Sequence, residues 1–173
     1  MTIYLVLDQC GSNPPITFDQ RCRYDYTKTS TPTISVEDAV ERVLAEHGRV
    51  DVLVNNTDIG CTGPLTELRG EAMGRAMDVN FLGQLRMVSA VAPHMAARRS
   101  GRVVNVGNVV GTAATPWAGP YCTSKAAVHT ATDALRVELR PFGVHVVKVV
   151  PDAVRSGLGH ANTAQLAGGQ AEW

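Results

Sequence analysis

Three short valine-rich runs, separated by stretches of helical pattern, restrict the fold of this chain more than any other feature. They are RVDVLVNN (Arg49 to Asn56), VVNVGNVVG (Val103 to Gly111) and GVHVVKVVP (Gly143 to Pro151). Each is dense in apolar or β-branched residues, too short for a helix, and closed by asparagine, glycine or proline. Each therefore reads as a buried strand running into a loop. From residue 35 onward the predicted order is helix, strand, helix, helix, strand, helix, strand. Ser35 with Asp38 marks the first helix start, Val36, Ala39, Val40, Val43 and Leu44 form its buried stripe, and Gly48 ends it. Alternation of this kind implies a parallel sheet covered by helices.

The segment YCTSKAAVH adds chemistry to this frame. On a helix, Tyr121 and Lys125 stack on one face, because a spacing of four returns to the same side. A free phenol has a pKa of about 10, and a neighbouring ammonium is expected to lower it. Such a tyrosine exchanges protons with an alcohol or carbonyl oxygen near neutral pH. The same spacing also describes many solvated surface pairs, so the motif needs its context.

That context is a set of further motifs at matching positions. RVDVLVNN ends in Asn55 and Asn56, Asn80 lies in DVNFLGQLR, and the second strand runs into Gly107 and Gly111. The third strand ends in Pro151. Together with Tyr121-x-x-x-Lys125, these residues make the chain resemble the short-chain dehydrogenase/reductase family over about residues 35 to 158. The wording of GQLR, PHMAARRSGRVVNVG, WAGPYCTSKAAVH and LRVELRPFGV resembles plant and fungal reductases of the 1-acyldihydroxyacetone-phosphate reductase type.

The resemblance implies a Rossmann-like, doubly wound parallel sheet, truncated to three or four strands with helices on both faces. It implies an oxidoreductase that moves hydride between NADPH or NADH and a carbonyl or alcohol substrate of lipid-like character. Tyr121 matches the general acid, and Lys125 matches the lysine that tunes it and holds the nicotinamide ribose. Asn80 matches the asparagine that kinks its helix and holds a relay water. Asn108 occupies the place of the catalytic serine. Asn55, Pro151, Val154 and Ser156 match positions beside the cofactor, with Val154 and Ser156 bonding its carboxamide. The helices around 81–97 and 122–139 match those that pair with a second subunit, giving a homodimer or a heterodimer with a full-length relative. Residues 1–34 are expected to be an irregular lead-in with a relic first strand, and residues 159–173 a flexible tail.

Departures from the family pattern bear on activity. An Asn108 carboxamide donates a hydrogen bond but cannot relay a proton as a serine hydroxyl does. Loss of one oxyanion donor costs roughly 10²–10³ in rate. Asp58 and Asp152 replace two glycines, where a carboxylate either crowds the cofactor or turns out to solvent. The glycine-rich dinucleotide loop has no counterpart, since Gly11 is the sole glycine before Gly48 and prolines 14 and 15 follow it. A β-α-β unit and the C-terminal substrate lid are also expected to be missing. These departures keep two other readings open: a non-catalytic relative that pairs with a complete one, and a defective gene product.

Composition narrows the remaining classes. With 16 basic and 16 acidic residues the formal charge is zero, so no global field draws nucleic acid. The cluster Arg98 to Arg102 is read as an exposed helix end. Four scattered cysteines suggest a reducing compartment, and the five histidines form no cluster, so no metal site is expected. No run is long enough for a membrane span or signal peptide. The expected location is cytoplasmic, peripheral to the endoplasmic reticulum or lipid droplets by resemblance.

Overall fold

A computed structural model describes residues 35–152 continuously, with two short strands before them. Those strands are β1 (Tyr4–Leu7) and β2 (Arg23–Tyr24). Then follow α1 (Val36–His47), β3 (Val52–Asn55), α2 (Gly70–Met77), α3 (Gly83–Ala97), β4 (Gly101–Val106), α4 (Gly119–Leu139) and β5 (Val144–Val149). The strands form one sheet in the order β2-β1-β3-β4-β5, and every pairing is parallel. Three of these strands lie within residues 35–152, and the two short ones extend the sheet.

The helix boundaries follow local chemistry. Ser35 and Asp38 form a reciprocal capping box, and Gly48 closes α1 in the left-handed conformation. Pro120 occupies the first turn of α4, where its missing N–H costs nothing. Between α2 and α3 the helix widens to a π-turn over Asp78–Leu82, with Asn80 buried inside it.

The core is one row of the pleat plus the helices above it. Leu53, Val103 and Val146 are aligned across β3, β4 and β5 and are buried. Val40 and Val43 of α1 and Met87, Val91 and Met95 of α3 cover them, with Leu135 and Leu139 of α4 at the margin. Two residues along, the same face turns polar. Asn55 donates to Asn105 Oδ1 at 2.8 Å, and Asn105 donates to Thr132 Oγ1 at 3.0 Å. Bonds of this kind offset the cost of burying the amides.

Two expectations need correction. The third valine run is not buried on both sides: Val147 and Val149 are 38% and 39% exposed, because the helices of this core lie on the other face. The arginine cluster is more than an exposed helix end. The Arg98 guanidinium donates to the Val50 carbonyl at 2.5 Å and meets Asp51 at 3.4 Å, stapling α3 to the entry of β3.

Because the strands run parallel, the loops after β3, β4 and β5 leave at one end of the sheet, where open α/β folds carry their sites. Leu53 is fully buried in the middle of this arrangement. Leu53→Ala should lower the unfolding free energy by about 3 kcal/mol, read from the urea midpoint at constant slope.

Candidate active site

Tyr121 and Lys125 lie on the first two turns of α4 and share a face, as their spacing requires. Both are buried, Lys125 to 1% exposure, and the ammonium stands 5.5 Å from the centre of the tyrosine ring. Lys125 Nζ donates to the Val106 carbonyl at 3.2 Å. A buried ammonium needs a counter-charge, and the loop after β3 supplies one. Asp58 Oδ2 lies 2.9 Å from Lys125 Nζ and accepts the Tyr121 hydroxyl at 2.7 Å. One carboxylate oxygen therefore holds both groups.

This arrangement reverses the expected acidity of the phenol. Tyr121 is pushed well above the ordinary tyrosine value, first by burial and then by the charge and hydrogen bond of Asp58, with a smaller contribution from Cys122. The expected lowering by Lys125 is not realised, since Asp58 offsets the lysine's field and also accepts the phenolic proton. Of the two orientations open to the aspartates, Asp58 turns inward, while Asp152 is exposed.

Asn80 is fully buried and locks this loop to the helices. Its Oδ1 accepts the Ile59 N–H at 2.7 Å, and its Nδ2 donates to the Ile59 carbonyl and to Ser124 Oγ, each at 3.0 Å. Ser124 in turn donates to the Tyr121 carbonyl at 2.7 Å. The amide thus spends its bonds inside the protein, joining the Asp58 loop, the π-turn and α4.

Asn108 follows β4 in a loop pressed onto α4. Gly107 and Gly111 make that contact feasible: a Cβ on Gly107 would lie 2.2 Å from His129 Nε2, and one on Gly111 2.9 Å from the Lys125 carbonyl carbon. The Asn108 Oδ1 accepts from Val110 N at 3.0 Å, capping the short turn Val109–Gly111, and its backbone N–H donates to His129 Nε2 at 3.4 Å. Burial, followed by the charge of Lys148, holds His129 below its ordinary value, consistent with an imidazole nitrogen that accepts. The Pro151 carbonyl accepts from Val109 N at 2.9 Å, tying the end of β5 to the same loop.

The predicted residues thus separate into groups. Tyr121, Lys125 and Asn80 converge on the Asp58 loop. Asn108 and Pro151 meet across the β4 loop, and Asn55 lies in the sheet's amide row. Val154 and Ser156 lie outside the described residues. Sequence reasoning missed Ser124, His129 and Asn105 as connectors. The signals were an asparagine inside a valine strand and polar residues three and eight positions beyond Tyr121.

Fold and site together define a parallel α/β domain with a buried tyrosine–lysine pair at the carboxyl end of its sheet. The chain belongs to the short-chain dehydrogenase family, whose "short chain dehydrogenase" pattern matches residues 22–167. It is 37% identical over 139 residues to 3-ketodihydrosphingosine reductase of Bacteroides thetaiotaomicron, covering 80% of this chain and 52% of that protein. It is 46% identical over 112 residues to human 17-beta-hydroxysteroid dehydrogenase type 1, covering 65% of this chain and 34% of that one. Among solved structures, a Burkholderia cenocepacia gluconate 5-dehydrogenase in complex with NADP and tartrate superposes with a TM-score of 0.70. That match has 30% identity and covers 73% of this chain and 49% of the other. An NAD+-bound xylitol dehydrogenase gives 0.71 at 26% identity, covering 78% and 54%. The chain spans about half the length of these relatives, or less.

The residues as arranged do not fit a nicotinamide cofactor. The hydroxyl and ammonium that the family turns toward the ribose are both bonded to Asp58. Among the described residues no group of His, Cys, Asp and Glu is placed to hold a metal, and no helix is long and apolar enough to cross a membrane.

Two outcomes follow. Asn80→Ala should cost about 1–3 kcal/mol in denaturant titration, since it strands the Ile59 groups and Ser124. Tyr121 binds its proton more tightly folded than unfolded, so its contribution to stability is complete below pH 10 and is lost as pH rises above that. Wild-type protein should therefore lose stability above pH 10 more steeply than Tyr121→Phe.

Proposed function

We propose that this chain is an oxidoreductase of the short-chain dehydrogenase type, acting on the carbonyl or alcohol of a lipid-like substrate, with Asp58 holding the site at rest. The observation that carries this reading is the buried Tyr121–Lys125 pair, whose helix Asn80 joins to the Asp58 loop through Ser124 and Ile59. The family's reaction passes hydride between NADPH or NADH and a carbonyl carbon. Tyr121 is the group on this chain suited to exchange the oxygen's proton once it is free of Asp58. The lipid-like substrate is supported by the sphingosine-type reductase among the relatives, and a 1-acyldihydroxyacetone-phosphate-type ketone is the finer choice.

A second reading is favoured by specific contacts. Asp58 occupies both members of the pair, so a non-catalytic relative that pairs with a complete subunit accounts for the same geometry. The outer sides of α3 and α4 would supply the contact, with Val137 74% exposed. The site, on this reading, works in a cytoplasmic setting at the surface of the endoplasmic reticulum or lipid droplets.

Titration of the folded chain with NADPH and with NADH, followed by nicotinamide fluorescence, separates the readings. Saturable micromolar binding and reduction of a long-chain ketone support the enzyme, and Tyr121→Phe should then lower turnover by roughly 10²–10⁴. Absence of binding at millimolar cofactor, together with a dimer in sedimentation equilibrium, supports the pairing role.

A further inference from the structure

We infer that Asp58 decides whether this site accepts a ligand: its carboxylate takes the contacts at Tyr121 and Lys125 that a ligand's hydroxyl groups need, and access requires its displacement. The inference rests on the oxidoreductase reading only for the nature of that ligand. The closure itself rests on geometry. A single oxygen, Oδ2, lies 2.7 Å from the Tyr121 hydroxyl and 2.9 Å from Lys125 Nζ. Lys125 is 1% exposed, whereas the Asp58 side chain is 23% exposed. Of the two charged groups, the carboxylate is the one in contact with solvent and the ammonium lies behind it in the protein.

The chemistry of the closure is that of an internal competitor. An incoming diol, such as a ribose, offers two neutral hydroxyls for a contact that Asp58 makes with a full charge. Asp58 meets the ammonium as an opposite full charge, whereas a hydroxyl meets it only as a dipole, so the internal carboxylate competes directly with the ligand. The positive end of the site is also cancelled, which removes its attraction for an anionic ligand. Asp58 cannot move away with its loop at no cost, because Asn80 holds the next residue, Ile59, at both its N–H and its carbonyl.

Asp58→Asn is the informative variant, since it keeps the shape and removes the charge; Asp58→Gly removes the group and tests the same point if it folds. Two readouts are compared with wild type after a cooperative melt confirms folding. The first is Tyr121 ionisation, taken as the ultraviolet titration difference between each protein and its Tyr121→Phe counterpart. The second is the dissociation constant for NADPH and for NADH. Tyr121 should ionise at lower pH in Asp58→Asn, and cofactor affinity should rise at least tenfold. Tyr121 ionisation unchanged in a folded Asp58→Asn protein overturns the inference. Cofactor bound equally well by wild type and a folded Asp58→Asn protein also overturns it and leaves the oxidoreductase reading standing. Release of the phenol with no cofactor binding in any variant overturns the oxidoreductase reading.

Discussion

The burial of one ammonium governs this molecule. Lys125 sits at 1% exposure on the second turn of α4, with the Val106 carbonyl and Asp58 as its partners. Removing one member of a buried pair leaves a stranded charge that costs several kcal/mol. The loop after β3 is therefore recruited to neutralise a residue on a helix far along the chain. Asn80 and Ser124 complete the link, and the glycines at 107 and 111 bring the next loop against the same helix. The counter-charge that makes the lysine tolerable also accepts the tyrosine's hydrogen bond.

Much of the fold was legible because periodicity reports directly on it. The valine runs, the Ser35–Asp38 cap and Gly48 gave the order of elements from α1 to β5, and the helices at 81–97 and 122–139 begin within a few residues of the reading. What periodicity does not report is which faces of a strand find a cover. β5 has the same composition as a strand buried on both sides, yet Val147 and Val149 face away from the helical layer. The π-turn at Asp78–Leu82 was signalled by the resemblance alone, which put a helix-kinking asparagine at Asn80; periodicity gave no sign of it, and Asn80 there bonds Ile59 across the fold.

The candidate site was legible as a list of residues and not as a network. Tyr121, Lys125 and Asn80 were identifiable from type and spacing, and they do converge. The direction of the tyrosine's acidity was misjudged, because Asp58 is 63 positions away in sequence and only three-dimensional proximity sets its effect. Asn108 was weighed as a substitute oxyanion donor through its Nδ2, and the structure adds a second role, its Oδ1 capping the turn at Val109–Gly111. The acceptor half of a side chain can thus take a capping role that no motif comparison reveals.

The double grip of Asn80 on Ile59 also fixes how quickly the site can change state. With the neighbouring backbone held at two points, Asp58 leaves Tyr121 by turning about its own side-chain bonds. Such a rotation leaves the backbone in place, whereas lid motions that remodel backbone take microseconds or longer. The rate of opening is then governed by the rupture of two polar contacts on one oxygen. The site resembles a latch more than a door, and its kinetics belong to a single residue.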